Sequence, residues 1–197
     1  MAEKTEAETP PTETTEPTAS PRRRELLAAT RAYAAQNNLS DLSLRPLAAA
    51  IGSSPRVLLY LFGSKEGLIR EVLAAGRAEQ LALVERASRE ADGPREVLEL
   101  LWVWLTDRER RTVLRLFFEG YIRGCGDEEP WQGFALASVD DWLPPLEGLL
   151  AGRRAPATLV LAVMRGLLLD WLADDAALGR VNQAWEAFLD DVFGERA

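Results

Sequence analysis

SLRPLAAAIGSSPRVLLYLFGSKEG, residues 43–67, is the stretch on which the reading of the whole chain turns. Ser43 suits an N-cap, and Leu44, Leu47, Ala48 and Ile51 follow it at helical spacing. Gly52 comes next, where a residue tolerant of positive φ lets the chain turn sharply. Ser54 then caps a second helix, with Pro55 at its first position, where a missing N–H leaves no bond unmade. Leu58 and Phe62 continue the apolar side, Gly63 breaks it, and Ser64-Lys65-Glu66 opens a third helix. Two short helices joined by a tight turn containing Gly make a helix-turn-helix, the unit that sets its second helix in the DNA major groove.

The 197 residues are 47% hydrophobic, enough for a real core in one domain or two small ones. The net charge of −8 speaks against a nucleic-acid partner, but its distribution reverses that reading. Residues 1–20 hold one Lys and five Glu, and are read as a disordered acidic tail rich in Glu, Thr and Pro. Residues 21–80 hold eight Arg and one Lys against five acids, so the helix-turn-helix lies in the one basic segment. A basic head on an acidic body is the electrostatic footprint of a DNA binder. Arg22, Arg23 and Arg24 are placed either to follow a phosphate backbone or to start a solvated helix.

One cysteine, Cys125, and no histidine exclude an internal disulfide, a Cys/His metal site and a His-based catalytic triad. No catalytic residue, metal or cofactor is therefore expected, and the chain is not read as an enzyme. The most apolar run, residues 155–164, is about half the length needed to span a bilayer, and no apolar segment lies near the start. A cytoplasmic protein without a membrane partner is expected.

At this point a resemblance becomes specific. Leu26-Leu27-Ala28-Ala29, Ser43-Leu44-Arg45-Pro46-Leu47-Ala48, Ile51-Gly52 and Phe62-Gly63-Ser64-Lys65-Glu66-Gly67-Leu68 resemble the N-terminal domain of the TetR family of transcriptional regulators. The likeness covers roughly residues 22–75. Three positions depart from it: Asn38 stands where the family usually has Gly, Ser53 where it has Val, and Leu59 where it has Tyr, the tyrosine here being Tyr60. The resemblance places Arg45 and Arg56 for contact with base edges, since Arg bonds two acceptors of one guanine. Ser43, Ser54, Tyr60 and Lys65 fall at positions suited to phosphate, Lys65 within the first turn of a helix.

It also implies an all-α chain of about nine helices. Residues 21–80 would be the DNA-binding domain, and residues 81–197 a helical effector-binding and dimerisation domain. Asp92-Gly93-Pro94, Gly126–Pro130 and Gly152 read as breaks between helices, and Pro144-Pro145 as an interruption near the end of the seventh. Between the middle helices the family encloses a small-molecule pocket, for which Trp102, Phe117, Tyr121, Cys125, Trp131 and Phe134 are the candidates; aromatic residues at this spacing also suit a plain core. The eighth helix is apolar on nearly all sides and is read as buried all round. That burial is met by pairing the last two helices with a second subunit, with Leu161, Leu168, Trp171, Trp185 and Phe188 at the interface, or by a central place in a monomer core. The expectation is a homodimeric repressor on a palindromic duplex operator, released by an unidentified small molecule. The alternative is a helical ligand-binding or scaffold protein that has lost DNA binding.

Overall fold

The computed structural model describes residues 20–37, 43–126 and 129–194. The acidic tail up to residue 19, Asn38, and Asp127-Glu128 lie outside them. Among the described residues the chain is all-helical, with nine α-helices: α1 (Pro21–Gln36), α2 (Leu44–Ala50), α3 (Pro55–Phe62), α4 (Lys65–Glu90), α5 (Pro94–Leu105), α6 (Arg111–Arg123), α7 (Phe134–Leu149), α8 (Arg154–Ala173) and α9 (Leu178–Phe193). Single 3₁₀ turns at Arg108–Arg110 and Asp175–Ala177 lead into α6 and α9.

The helix boundaries follow from local chemistry. Ser20 caps α1, its hydroxyl accepting from the Arg23 N–H at 3.2 Å. At the end of α1 the backbone of Asn37 is extended, at φ −138° and ψ 139°, rather than left-handed. Its side-chain amide instead donates to the Tyr33 carbonyl at 3.0 Å, satisfying one of the last helical acceptors directly. α2 ends in a Schellman arrangement. Gly52 takes φ +64°, the Ser53 N–H donates to the Ala48 carbonyl at 2.8 Å, and the Gly52 N–H donates to Ala49 at 3.4 Å. The next corner explains the Phe-Gly-Ser-Lys-Glu-Gly segment. Ser64 accepts from the Gly67 N–H at 2.9 Å, and any Cβ on Gly67 would sit 2.2 Å from the Phe62 carbonyl oxygen.

Two hydrophobic cores result. The first gathers α1, α2, α3 and the start of α4 around Leu26, Leu47, Ala48, Leu58, Leu68 and Val72, and also takes in Leu116 of α6, Trp131, and Phe134 of α7. The second holds α5, α7, α8, α9 and the far half of α4, with Leu98, Leu101, Leu146, Val160, Trp171 and Trp185 at its centre. α4, 26 residues and about 39 Å long, serves both.

Two expectations are corrected. α7 runs through Pro144 and Pro145 to Leu149 without a break, because its buried side, Trp142, Leu143 and Leu146, holds it in place while each ring removes only one ladder donor. α8 is not buried all round: Leu159 and Leu169 are 52% and 45% exposed, with Ala162 and Gly166 between them on the same outward stripe. By length and composition α8 would suffice to cross a membrane, but its inner side packs on α7 and α9 and it carries Arg165 and Asp170.

Candidate nucleic-acid interface and interior cavity

The outward face of α2 and α3 is built by subtraction. Leu47, Ala48, Leu58 and Phe62 turn inward, which leaves Ser43, Arg45, Ser54, Arg56 and Tyr60 on the surface. Tyr60 is 79% exposed, among the most solvent-accessible large side chains of the described residues. Arg45 and Arg56 are exposed and, among the described residues, have no ion-pair partner. Lys65, in the first turn of α4, is half-buried.

The three cap serines differ in a way that bears on the interface. Ser54 accepts from the Val57 N–H at 3.3 Å, and Ser64 from Gly67. Ser43 makes no such bond, because the third residue of α2 is Pro46, which has no N–H to donate. Its hydroxyl is left at the surface beside Arg45.

The adjacent arginines of α1 divide their work. Arg23 turns back into the head: it bonds the Leu61 carbonyl at 3.3 Å, pairs with Glu71 at 2.8 Å, and lies 5.0 Å over the Phe62 ring. Arg22 pairs with Glu25 at 2.8 Å and donates to the Gly52 carbonyl at 3.1 Å, tying α1 to the turn between α2 and α3. Arg24 is exposed. Two further residues of the face were given no contact role from the sequence, Val57 and Leu59, 37% and 44% exposed on α3. Their signal was available: once Leu58 and Phe62 form the inner side, apolar neighbours one position away must face outward.

Below the head lies a cavity of about 250 Å³. α4 contributes Val72 and Leu73, α5 contributes Trp104 and Leu105, and α6 contributes Val113, Leu114, Phe117 and Phe118. Phe134 and Trp142 of α7 and Leu161, Met164, Arg165 and Leu168 of α8 close it. Of the six aromatic and thiol candidates, only Phe117 and Phe134 line it. Trp102 is buried against Trp185, rings stacked 4.9 Å apart, with its indole N–H on Asn182 at 2.9 Å. Trp131 is buried edge-on to Phe134, and Cys125 is exposed. Tyr121 reaches the cavity only through Arg165, whose Nη1 donates to the phenol oxygen at 3.1 Å. Trp104 lines the wall instead, with Arg110 stacked 4.0 Å over its ring.

The residues expected at a subunit interface differ in their burial within the single chain. Trp171 and Trp185 lie in the chain's own core at 0% exposure, and Phe188 packs against Trp185 at 5.6 Å. Leu161 and Leu168 face the cavity. On α8 the side that remains open is the stripe of Leu159, Ala162, Gly166 and Leu169.

Residues 26–72 match the model of the bacterial regulatory proteins of the tetR family. A comparison with curated protein sequences gives no match. Among solved structures, the chain is similar to one from Rhodococcus sp. described as a TetR-family transcriptional regulator, at TM-score 0.68 and 18% identity, covering 88% of this chain and 98% of that one. It is similar to Salmonella enterica GusR at TM-score 0.61 and 22% identity, with 92% and 98% covered. It is also similar to NalD, the secondary repressor of the MexAB-OprM multidrug efflux pump in Pseudomonas aeruginosa, at TM-score 0.59 and 25% identity, with 87% and 94% covered. The chain has the fold of the TetR-family transcriptional regulators, and its helix-turn-helix lies within the matched segment.

Proposed function

We propose that this chain is a cytoplasmic, ligand-responsive repressor that binds a palindromic duplex operator as a homodimer. The observation that carries the reading is the outward face of α2 and α3, where Arg45, Arg56 and Tyr60 stand exposed on a matched helix-turn-helix. Arg45 and Arg56 contact base edges. Ser43, Ser54, Tyr60 and Lys65 contact phosphate, with the uncommitted hydroxyl of Ser43 the best placed of the serines. Val57 and Leu59 supply apolar contact for thymine methyl groups.

The homodimer forms through the stripe Leu159, Ala162, Gly166 and Leu169, whose small residues let two α8 helices approach closely. Two heads then meet successive major grooves, about 34–36 Å apart or a multiple of that. Residues 21–80 act as the reading head and residues 81–197 as the sensing and pairing body. The cavity is the effector site. Phe134 is shared between the cavity and the head's core, and Val113 and Phe117 of the cavity wall pack against that core, so filling the cavity bears on the packing of α1 and α4.

Genomic fragment selection with the full chain, read against salt, tests this. A DNA binder loses affinity steeply as salt rises. Arg56→Ala should lower affinity about tenfold and relax preference at one base position. An unchanged motif would remove Arg56 from base contact, and no duplex binding at low salt would leave a ligand-binding scaffold in its place.

A further inference from the structure

The cavity holds four arginines, and three of them are already neutralised. Arg31 pairs with Glu79, Arg77 with Asp141 at 2.8 Å, and Arg110 with Asp107 at 2.5 Å. Arg165 differs. It comes from the middle of α8, an apolar helix with no other basic residue between Ala155 and Ala173. Its Nη1 donates to the Tyr121 hydroxyl, and its Nη2 to the Ser138 hydroxyl at 2.9 Å and the Ser138 carbonyl at 3.3 Å. The guanidinium lies 4.7 Å over the Tyr121 ring. All of these partners are neutral. Among the described residues no carboxylate lies within ion-pair range of it.

A half-buried cation in an apolar wall is unfavourable without an opposing charge. Desolvation pulls the Arg165 pKa down from its ordinary value, in keeping with an unopposed charge. Its three acceptors fix the side chain without neutralising it. Of the five N–H donors of the guanidinium, those not given to Tyr121 and Ser138 remain for a carboxylate oxygen. The wall around it is largely apolar, with Trp104, Phe117, Phe118, Phe134, Trp142 and aliphatic groups beside Gln80, Glu109 and the paired Arg31, Glu79, Arg77 and Arg110. We propose that the cavity binds a small monoanionic carboxylic acid with an aryl or alkyl body, its carboxylate held by Arg165 and its body against the aromatic wall. A single unpaired arginine suits one negative charge, not the two of a phosphate monoester. The inference rests on the reading of this cavity as the effector site.

Calorimetric titration of the full chain with two matched pairs tests it: octanoate against octanamide, and 4-phenylbutyrate against 4-phenylbutyramide. In at least one pair the acid should bind about tenfold or more tightly than its amide. Arg165→Gln should bring acid and amide to within about twofold, while Arg165→Lys keeps part of the preference. Leu161→Trp, which fills the cavity, should abolish both. If Arg165→Gln does not fold, the carboxyl resonance of ¹³C-labelled octanoate on the unaltered chain serves instead. Its titration midpoint should fall on binding, since a neighbouring cation favours the ionised form. Equal binding of acid and amide, both lost in Leu161→Trp, would overturn the anion assignment and leave the effector cavity standing. Binding that survives Leu161→Trp would overturn the cavity reading itself. An unshifted or raised midpoint, an acid preference that persists in Arg165→Gln, or no binding by any of the four compounds would overturn the proposal.

Discussion

Gly120, buried in α6, is where Trp131 of the head's core seats directly against that helix. A Cβ at this position would lie 2.3 Å from Cζ3 of Trp131, 2.8 Å from Cε3 and 2.9 Å from Cη2. Carbon atoms rest about 3.5–4.0 Å apart, so Gly120→Ala asks the indole to retreat by more than about 1 Å. It has little room to do so: Trp131 is 2% exposed and stands edge-on to Phe134, ring centroids 5.4 Å apart. Overpacking of this kind costs about 3 kcal/mol, the upper end of the usual range. Alanine's better helix propensity returns about 1 kcal/mol, for a net loss of about 2 kcal/mol. At this chain length that lowers Tm by about 4–8 °C. Gly76→Ala in α4 is the matched control. Nothing lies within 4 Å of the added methyl there, so the propensity gain should appear alone, raising Tm by about 2–4 °C. Both are read by thermal unfolding at one fixed protein concentration, since dimer linkage makes Tm concentration-dependent. Trp131→Phe should restore part of the loss in the double variant, because it removes the atoms the methyl meets and an indole N–H with no partner among the described residues. Two glycine variants shifting in the same direction would refute the packing account.

Ser43→Ala should leave stability unchanged and weaken duplex binding, whereas Ser54→Ala should cost about 1 kcal/mol of stability through the lost cap; denaturant midpoints with binding isotherms separate the two. Ser53 has a buried hydroxyl with no hydrogen-bond partner among the described residues, so Ser53→Ala should stabilise the chain by about 1 kcal/mol. A lower denaturant midpoint would show that the hydroxyl is satisfied. Leu159→Glu on the outward stripe of α8 should shift a dimer toward monomer in sedimentation equilibrium, while folding is retained because the side chain is 52% exposed.

The head was legible in the sequence because its information is local. Cap serines, a proline at a first helical position and two turn glycines each act within a few residues, and the structure places the helices accordingly. The body was legible only as a set of helices. Trp102 and Trp104 are two positions apart, about 200° around α5, and which of them faces the cavity is set by how α5 lies on α4 and α9. The same limit explains Leu161 and Leu168: an apolar helix without a polar side carries no periodicity to mark its outward stripe. Asn37 has two ways to end a helix, by left-handed backbone or by side-chain donation; composition does not separate them, and the structure shows the second. Arg165 did leave a signal. A lone cation inside an apolar helix is costly wherever it is buried, which marks it as a residue with a partner to find.

The arrangement of the cores narrows how a ligand and DNA would communicate. Head and body are not separate units joined only by α4, since Leu116, Trp131 and Phe134 pack into the head's cluster from α6 and α7. Phe134 is common to the cavity wall and that cluster, and it touches both Phe117 and Trp131, at 5.9 and 5.4 Å between ring centroids. A ligand that displaces Phe134 therefore changes the surface on which α1 and α4 rest, without a long relay through the chain. The energy required is small: a coupling of about 1–3 kcal/mol corresponds to roughly 5- to 150-fold in affinity. A close-packed contact resists by about that amount when an aromatic ring is moved by one methyl group's width, as at Gly120. Gly120 and Gly124 give α6 a groove in which Trp131 seats, a Cβ on the latter meeting the Trp131 carbonyl oxygen at 2.8 Å. Trp131 is thereby fixed to α6 on one side and to Phe134 on the other. The contact of Trp131 with Gly120 and Phe134 thus links the cavity wall to the head's core through close packing, and a substitution that loosens it should lower coupling more than it lowers either binding step.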